Sequence, residues 1–230
     1  MKPDISIIIP AYNEGKYIST TLQAIQKSIF SGQYEIIVVC NGCTDNTPEI
    51  AKKYGARVFI LSDKGTPEAM NYGAKQAQAD VLTFLDADTL ISNNLLQQVL
   101  SAHEQGYIGG RTVIRWSGDS IFANMSGIIS YVHKHKWGGF CFIDKKLFQL
   151  IGGYKTSVKY GFDFDLSHRA QRNGKTAFLN KSYALSSSRR FEKEGWLRHL
   201  WLATKRYYFD ERILHKGVKH EEHIDYKDYR

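Results

Sequence analysis

Apolar runs and helix-spaced stretches alternate along the first ninety residues. Ile5-Ser6-Ile7-Ile8-Ile9 is stopped by Pro10, and Glu35-Ile36-Ile37-Val38-Val39 is ended by Asn41-Gly42. These two, residues 57–61 and Val81-Leu82-Thr83-Phe84-Leu85 read as short buried strands, rich in β-branched side chains. Between them, residues 14–30 carry Tyr17, Leu22, Ile25 and Ile29 at helical spacing. Thr44 offers an N-cap for a helix running to about Tyr54, with Gly55 as its stop, and Pro67 stands at the first position of a third helix. Four strands separated by helices predict a parallel sheet covered on both faces, a doubly wound α/β layer suited to a nucleotide.

The second half is less regular. The spacing predicts a helix over 94–105, a strand over 107–116 and a helix over 119–133 with Ile121, Phe122, Met125, Ile128 and Ile129 in register. A Gly- and aromatic-rich strand over 137–143 follows, then a helix over 163–173 stopped by Gly174, and strands over 175–179 and 183–186. A last helix, 195–209, places Trp196, Leu200, Ala203 and Tyr207 on one face, with Arg198, Lys205 and Arg206 around it. Such a stripe either packs on the core or lies in a membrane interface. No repeat or Pro/Ser-rich linker divides the chain, so one continuous domain is expected, with a polar tail over 215–230.

At 230 residues, 43% hydrophobic and 23% charged, the chain has the composition of a globular protein with a proper core. It has no uninterrupted apolar run of membrane-spanning length, and its start runs into a strand rather than a signal-peptide core, so a cytoplasmic location is expected. The net charge of +8 suits a phosphate-bearing substrate or an anionic membrane surface. The basic residues are dispersed and no nucleic-acid signature accompanies them, so nucleic acid is not an expected partner. Cys40-Asn41-Gly42-Cys43 has the spacing of a redox motif or half a zinc site. Without a second such pair, reduced structural thiols are the default.

Chemistry concentrates where the fourth strand ends. Asp86 and Asp88 leave it with only the small Ala87 between them. Two carboxylates at the carboxyl end of a buried strand suit Mg²⁺ or Mn²⁺, which take oxygen ligands and share them with substrate phosphates. The other reading is that Asp88-Thr89 caps the helix starting near Ser92.

Five blocks in order resemble the family 2 glycosyltransferases of the GT-A fold. They are Ile9-Pro10-Ala11-Tyr12-Asn13-Glu14, then Val39-Cys40-Asn41-Gly42-Cys43-Thr44-Asp45, then Gly65 through Ala74 with Ala69, Asn71 and Gly73. Asp86-Ala87-Asp88 follows, and after it Phe148-x-x-Ile151-Gly152-Gly153-Tyr154 with Asp163-x-Asp165-Leu166-x-x-Arg169. The resemblance implies a Rossmann-like, mainly parallel sheet within a single 1–214 domain. Residues 1–90 would be the nucleotide-binding half and 91–214 an irregular acceptor-binding half. It also implies a metal-dependent, inverting transfer of a sugar from a nucleoside diphosphate sugar to an acceptor hydroxyl, the acceptor being a sugar or lipid-linked.

Residue by residue, Asp86 and Asp88 would hold the metal, and Asp86 with Ala87 would meet the donor. Pro10, Ala11, Tyr12, Glu14, Asn41 and Asp45 would hold the nucleoside, Arg189 would meet the diphosphate, and Asp163 would be the catalytic base. A helix cap is the other reading of Asp163, and a turn that of Asn41 and Asp45. For Ser187-Ser188-Arg189-Arg190 it is a solvated basic loop. Trp137-Gly138-Gly139-Phe140 could form an aromatic platform beside the sugar.

The chain departs from the family pattern at Cys40 and Asn41, where an aspartate pair is usual, at Met70, where arginine is frequent, and at Phe162, where glutamate precedes the aspartate. Lys64 could replace the missing charge of position 70. These departures keep a non-catalytic nucleotide-sugar-binding module open as an alternative. A sugar-nucleotide pyrophosphorylase is disfavoured, because the first loop lacks a Gly-rich, basic sequence.

Overall fold

A computed structural model describes residues 2–63, 65–119, 121–132, 134–135, 137–158 and 161–195. The helix expected over 195–209, and with it the membrane contact read from its apolar stripe, falls outside these residues, as do Lys64 and the polar tail.

Strands β1 (Ile5–Ala11), β2 (Tyr34–Asn41), β3 (Arg57–Leu61) and β4 (Val81–Leu85) form where the apolar runs predict them. They pair in parallel in the order β3-β2-β1-β4. Both faces are covered, so the strands are apolar throughout, yet the two-residue period still sorts their side chains. Ile5, Ile7, Ile9, Ile36, Val38 and Cys40 join one core with helices α1 (Ile18–Gln26) and α2 (Thr47–Lys53). Ile8, Ile37, Val39, Leu82 and Phe84 join the other, under α3 (Thr66–Gln76).

Gly73 makes this second layer close. A Cβ there would lie 2.5 Å from Ile8 Cγ2 and 3.2 Å from Val39 Cγ2. Gly73→Ala should therefore lower unfolding stability by about 1–3 kcal/mol despite its better helix propensity, measured as a fall in the urea midpoint at unchanged slope.

The second half extends the same sheet. After β5 (Thr89–Ile91) and α4 (Leu95–Glu104), β6 (Gly109–Trp116) leads into α5 (Ile121–Val132). Then come β7 (Phe140–Asp144), α6 (Lys145–Leu150), α7 (Phe162–Gln171), β8 (Thr176–Ser186) and α8 (Arg189–Glu194). The eight strands run in the order β3-β2-β1-β4-β7-β6-β8-β5, with β7 antiparallel to β4 and β6, and β5 antiparallel to β8. β6 and β8 are parallel, so the sheet is mainly parallel with an irregular second half.

The expected strand pair over 175–179 and 183–186 is one strand, β8. An irregularity in its register opposite Thr112 and Val113 absorbs the polar Asn180-Lys181. Helix α1 begins at Ile18 rather than near residue 14, because Glu14 belongs to a preceding turn whose carbonyl accepts from Tyr17 and Ile18. No described helix is long and apolar enough to cross a membrane.

Two features open a crevice. β1 turns to β2 on one side and has β4 on the other, which makes the β1/β4 junction a topological switch point, the usual ligand site of open α/β sheets. The β1–β4 pairing ends at Ile8 opposite Phe84, short of Pro10, which has no N–H to offer a ladder.

Candidate active site

The carboxyl ends of β1, β2, β4, β6 and β8 point to the same edge of the sheet, and antiparallel β7 starts there, since Phe140 lies opposite Leu85. Asp86, Ala87 and Asp88 leave β4 into this crevice, the two aspartates partly exposed and Ala87 buried. The Ala87 carbonyl accepts from the buried Thr21 hydroxyl of α1 at 2.8 Å, which fixes the short link between the carboxylates. Asp88 caps no helix: β5 follows at Thr89, and Asn94 stands at the N-cap of α4.

Register brings in a cation. Thr89 pairs with Ser186, and their hydroxyls are 3.2 Å apart. Arg189, three residues beyond Ser186, therefore meets Asp88, one residue before Thr89. Its guanidinium lies 3.1 Å from Asp88 Oδ2 and 2.5 Å from Glu14 Oε1, over the Tyr17 ring at 4.4 Å. Burial opposes the Arg189 charge, but the hydrogen bond to Glu14 and the field of Asp88 outweigh it, and its pKa is raised. Arg189 thus opens helix α8 and is held over the crevice.

The loop after β1 is held from beneath. Asn13 adopts φ 54°, a left-handed conformation asparagine tolerates, and its Oδ1 accepts from Thr44 N at 2.8 Å. Cys43 Sγ lies 3.3 Å from the Ala11 carbonyl, to which it donates, and 3.4 Å from the Asn13 amide. A hydrogen bond with Cys40, aided by that amide, lowers the Cys43 pKa to about 7. Asn41 is buried, and the orientation of its side-chain amide that satisfies both neighbours donates to Ala11 O at 2.6 Å and accepts from Gly65 N at 3.1 Å.

Asp45 is exposed but employed locally: Oδ2 accepts from Gly15 N at 2.9 Å, and Oδ1 from Thr47 N at 3.1 Å. Against a burial penalty, these bonds and the Thr47 hydroxyl hold its pKa below the usual range. The backbone N–H of buried Glu14 donates to Thr47 Oγ1 at 2.8 Å. Of the residues expected to hold a nucleoside, Pro10 and Ala11 end β1, and Tyr12 stands half-buried at the crevice. Asn41, Asp45 and Glu14 brace the loop and Arg189.

Asp163 arrives from the other core. It sits in the first turn of α7, whose N-cap is Gly161 in the left-handed conformation, so the aspartate is not the cap. Tyr154 hydrogen-bonds its carboxylate, yet burial dominates and raises its pKa to about 6. Cys141 of β7 lies between Asp163 and the aspartate pair: it pairs with Phe84, two residues before Asp86, and its Sγ is 3.5 Å from the Tyr154 hydroxyl. Burial first, then the fields of Asp163 and Asp86, push its thiol up.

Tyr154 is itself placed by Asn71 of α3, which accepts from its amide at 2.9 Å and donates to its carbonyl at 2.7 Å. Asp165 is engaged elsewhere, 2.6 Å from Arg169 and 3.3 Å from Lys155. Arg169 also donates to the carbonyls of Ile151 and Gly153, which secures the turn before Tyr154. Trp137 is fully buried and packs in the core, so it offers no platform, whereas Gly138 approaches Phe164 beside Asp163.

The carboxylate pair fits a hard divalent cation. Among the described residues no group of three or more His, Cys, Asp or Glu could hold one alone, so a metal at Asp86 and Asp88 would need oxygens from a diphosphate or water, as Mg²⁺ and Mn²⁺ sites usually do. The guanidinium at Asp88 shows that this position accepts positive charge.

Tyr17, Thr21, Asn71 and Tyr154 complete the site without having been assigned a role from sequence. Asn71 and Tyr154 lie inside recognisable blocks, and that was the available signal. Tyr17 and Thr21 look like ordinary residues of an amphipathic helix.

Comparisons with known proteins bear on the family and the fold. The family model described as "Glycosyl transferase family 2" matches residues 6–159. An uncharacterized glycosyltransferase of Rickettsia typhi is 27% identical over 185 residues, 71% of this chain and 57% of its own. Glycosyltransferase AglE of Haloferax volcanii is 36% identical over 93 residues, 37% of this chain and 31% of its own. The chain thus spans little more than half the length of such relatives, or less.

Among solved structures, S. aureus TarS in complex with UDP-GlcNAc superposes with TM-score 0.66 at 22% identity, covering 80% of this chain and 58% of that one. The mannosyltransferase PcManGT from Pyrobaculum calidifontis, in complex with GDP-Man and Mn²⁺, gives 0.64 at 18%, covering 81% and 57%. With the GT-A fold shared and two thirds of its length matched, the chain belongs to glycosyl transferase family 2.

Proposed function

We propose that this chain moves a sugar from a nucleoside diphosphate sugar to an acceptor hydroxyl with inversion. The observation that carries this reading is the approach, at one edge of the sheet, of a carboxylate pair suited to a metal and a half-buried aspartate of raised pKa, joined through Cys141, which pairs with Phe84 and touches Tyr154. The matched family and the donors of TarS and PcManGT support the substrate class.

In this reading the loop from Pro10 to Tyr12 receives the nucleoside, braced by Asn41, Asp45 and Glu14. Asp86 and Asp88 would hold Mn²⁺ or Mg²⁺, which would supply positive charge against the departing diphosphate. Arg189 shifts from Asp88 toward the diphosphate, a target its planar fork matches. Asp163 accepts the proton of the acceptor hydroxyl as that oxygen attacks the anomeric carbon. A carboxylate with pKa about 6 is ionised at neutral pH and still basic enough for the task. Tyr154, by donating to it, aims one oxygen and leaves the other for the acceptor. Residues 1–90 then form the donor half, and the acceptor, a sugar or a lipid-linked one, enters from the 91–214 half. The protein works in the cytoplasm, at the inner face of the membrane when the acceptor is lipid-linked.

Thermal stabilisation by UDP, GDP, dTDP and CDP, each with and without Mn²⁺, tests the donor side. One nucleotide at a hundredfold excess over its Kd should stabilise the protein by about 2.7 kcal/mol, a rise of several degrees in Tm, and only with metal. A folded protein that none of the four stabilises would refute the reading.

A further inference from the structure

We propose that the outward face of α5 is a docking surface for an anionic lipid bilayer. This helix has its polarity reversed. It meets β6 through Ala123, Ser126 and Ser130, all buried. Ser126 Oγ accepts from Trp116 N at 2.9 Å, and Ser130 Oγ accepts from Ile114 N at 2.9 Å and from Arg111. The opposite face carries Ile121 (68% exposed), Met125 (44%), Ile128 (64%) and Val132 (72%), with Tyr131 beside them.

These four positions follow the i, i+4, i+7, i+11 spacing of one helical stripe. The helix sequence IFANMSGIISYV has no acidic or basic side chain. A helix facing water shows the opposite arrangement. Contiguous apolar surface of this kind marks an interaction site.

Charge at the rim decides the partner. Lys134 and His135 follow the stripe, both exposed, within the sequence His133-Lys134-His135-Lys136. Exposed Lys181 lies at the side of the stripe, next to Asn180, whose carbonyl accepts from the Tyr131 hydroxyl at 3.4 Å. With exposed Lys134 and Lys181 at its rim against the single acid Asp119 before Ile121, the uncharged apolar stripe has a basic edge, the complement of acyl chains beneath anionic headgroups. Twelve residues make a helix of about 18 Å, too short for the roughly 30 Å hydrocarbon core, so it would lie in the interface plane.

The docked face would hold the crevice at the membrane surface. Ser117, just before α5, receives Ser188 N at 3.1 Å, next to Arg189. The segment after α5 is held where Gln171 Nε2 donates to His135 O at 2.5 Å, and it leads to Gly138 beside Phe164. A lipid-borne acceptor would thus arrive at the candidate base, a clause that rests on the transferase reading; docking itself does not.

The test is co-sedimentation of the full chain with vesicles of phosphatidylglycerol and phosphatidylcholine, against phosphatidylcholine alone. Wild type should bind the anionic vesicles about tenfold better, less so at high salt, and Ile128→Glu or Val132→Glu should weaken binding by about tenfold or more. Ile60→Glu, at an equally exposed position on β3, should leave binding unchanged.

Failure of wild type to sediment, or undiminished binding by Ile128→Glu, would overturn the proposal. A wild-type dimer that Ile128→Glu renders monomeric, without vesicle binding, would assign the face to a second copy and overturn it equally. Because sedimentation reads no turnover, a negative here is separate from a failure of nucleotide binding.

Discussion

Asp163→Asn should lower turnover by about 10²–10⁴-fold, leave donor binding intact, and make the protein more stable at neutral pH. The activity effect follows from removing the group proposed to accept the acceptor's proton. The stability effect has its own cause. Burial raises the Asp163 pKa from 3.8 to about 6, so the folded state binds a proton more readily than the unfolded chain does. Between those two values the native protein holds the proton while the unfolded chain releases it, and stability declines as pH rises through that window. Above pH about 6 the full cost of an ionised buried carboxylate is present, up to about 3 kcal/mol.

Asparagine carries no charge and escapes this cost. The variant's Tm should therefore exceed wild type at pH 7.5, and the difference should vanish below about pH 4. In wild type, kcat/KM should climb with pH and level off above about 6, where the base is ionised, a limb absent from the variant. Activity loss with rising stability is the mark of a functional group held in a destabilising place. A variant with wild-type turnover would instead point to a binding module. One that lost both activity and stability would show that Asp163 serves the fold.

The first half of the fold was legible because its signals are local. Ile5 to Ile9 or Val81 to Leu85 can be little other than buried strands, and Pro10 and Gly42 mark where they stop. The carboxyl-end rule then locates the crevice before any distance is measured. What sequence could not give is the use to which each polar side chain is put. Asp45 and Asn41 match a nucleoside-binding block, but the hydrogen bonds they make are to Gly15, Thr47, Ala11 and Gly65, partners fixed by how α2 and α3 close over the β1 loop.

Arg189 and Glu14 are 175 residues apart, and their ion pair depends on the antiparallel register of β5 with β8. At three residues, Thr89-Leu90-Ile91 is too short a run to be read as strand β5. The periodicity of α5 was readable, but its direction was not. The same stripe of isoleucines would serve a core-facing helix, and only the packing of Ser126 and Ser130 against β6 turns it outward.

Asp88 and Arg189 should part when the donor binds, and two substitutions separate their roles. In the structure Arg189 neutralises Asp88, and Glu14 grips the same guanidinium more closely. A divalent cation at Asp88 would meet repulsion from a positive charge 3.1 Å from that carboxylate, so metal and arginine compete for it until a diphosphate offers Arg189 a new partner. Arg189→Ala should accordingly tighten Mn²⁺ binding to the nucleotide-free protein several-fold, read by titration calorimetry, while weakening donor binding by about tenfold or more through the lost charge-assisted bonds.

Asp88→Asn should do the reverse to the metal. Loss of one of two carboxylates should abolish measurable Mn²⁺ binding and the metal-dependent rise in Tm, with turnover falling by about 10³-fold. Glu14 would still hold Arg189, so the fold should survive with its Tm without ligand little changed. Should Arg189→Ala leave both affinities as they are, the arginine is a structural clasp between β8 and the first loop. Were Asp88→Asn to retain Mn²⁺-dependent donor binding, the metal would have to be sought elsewhere than at this pair.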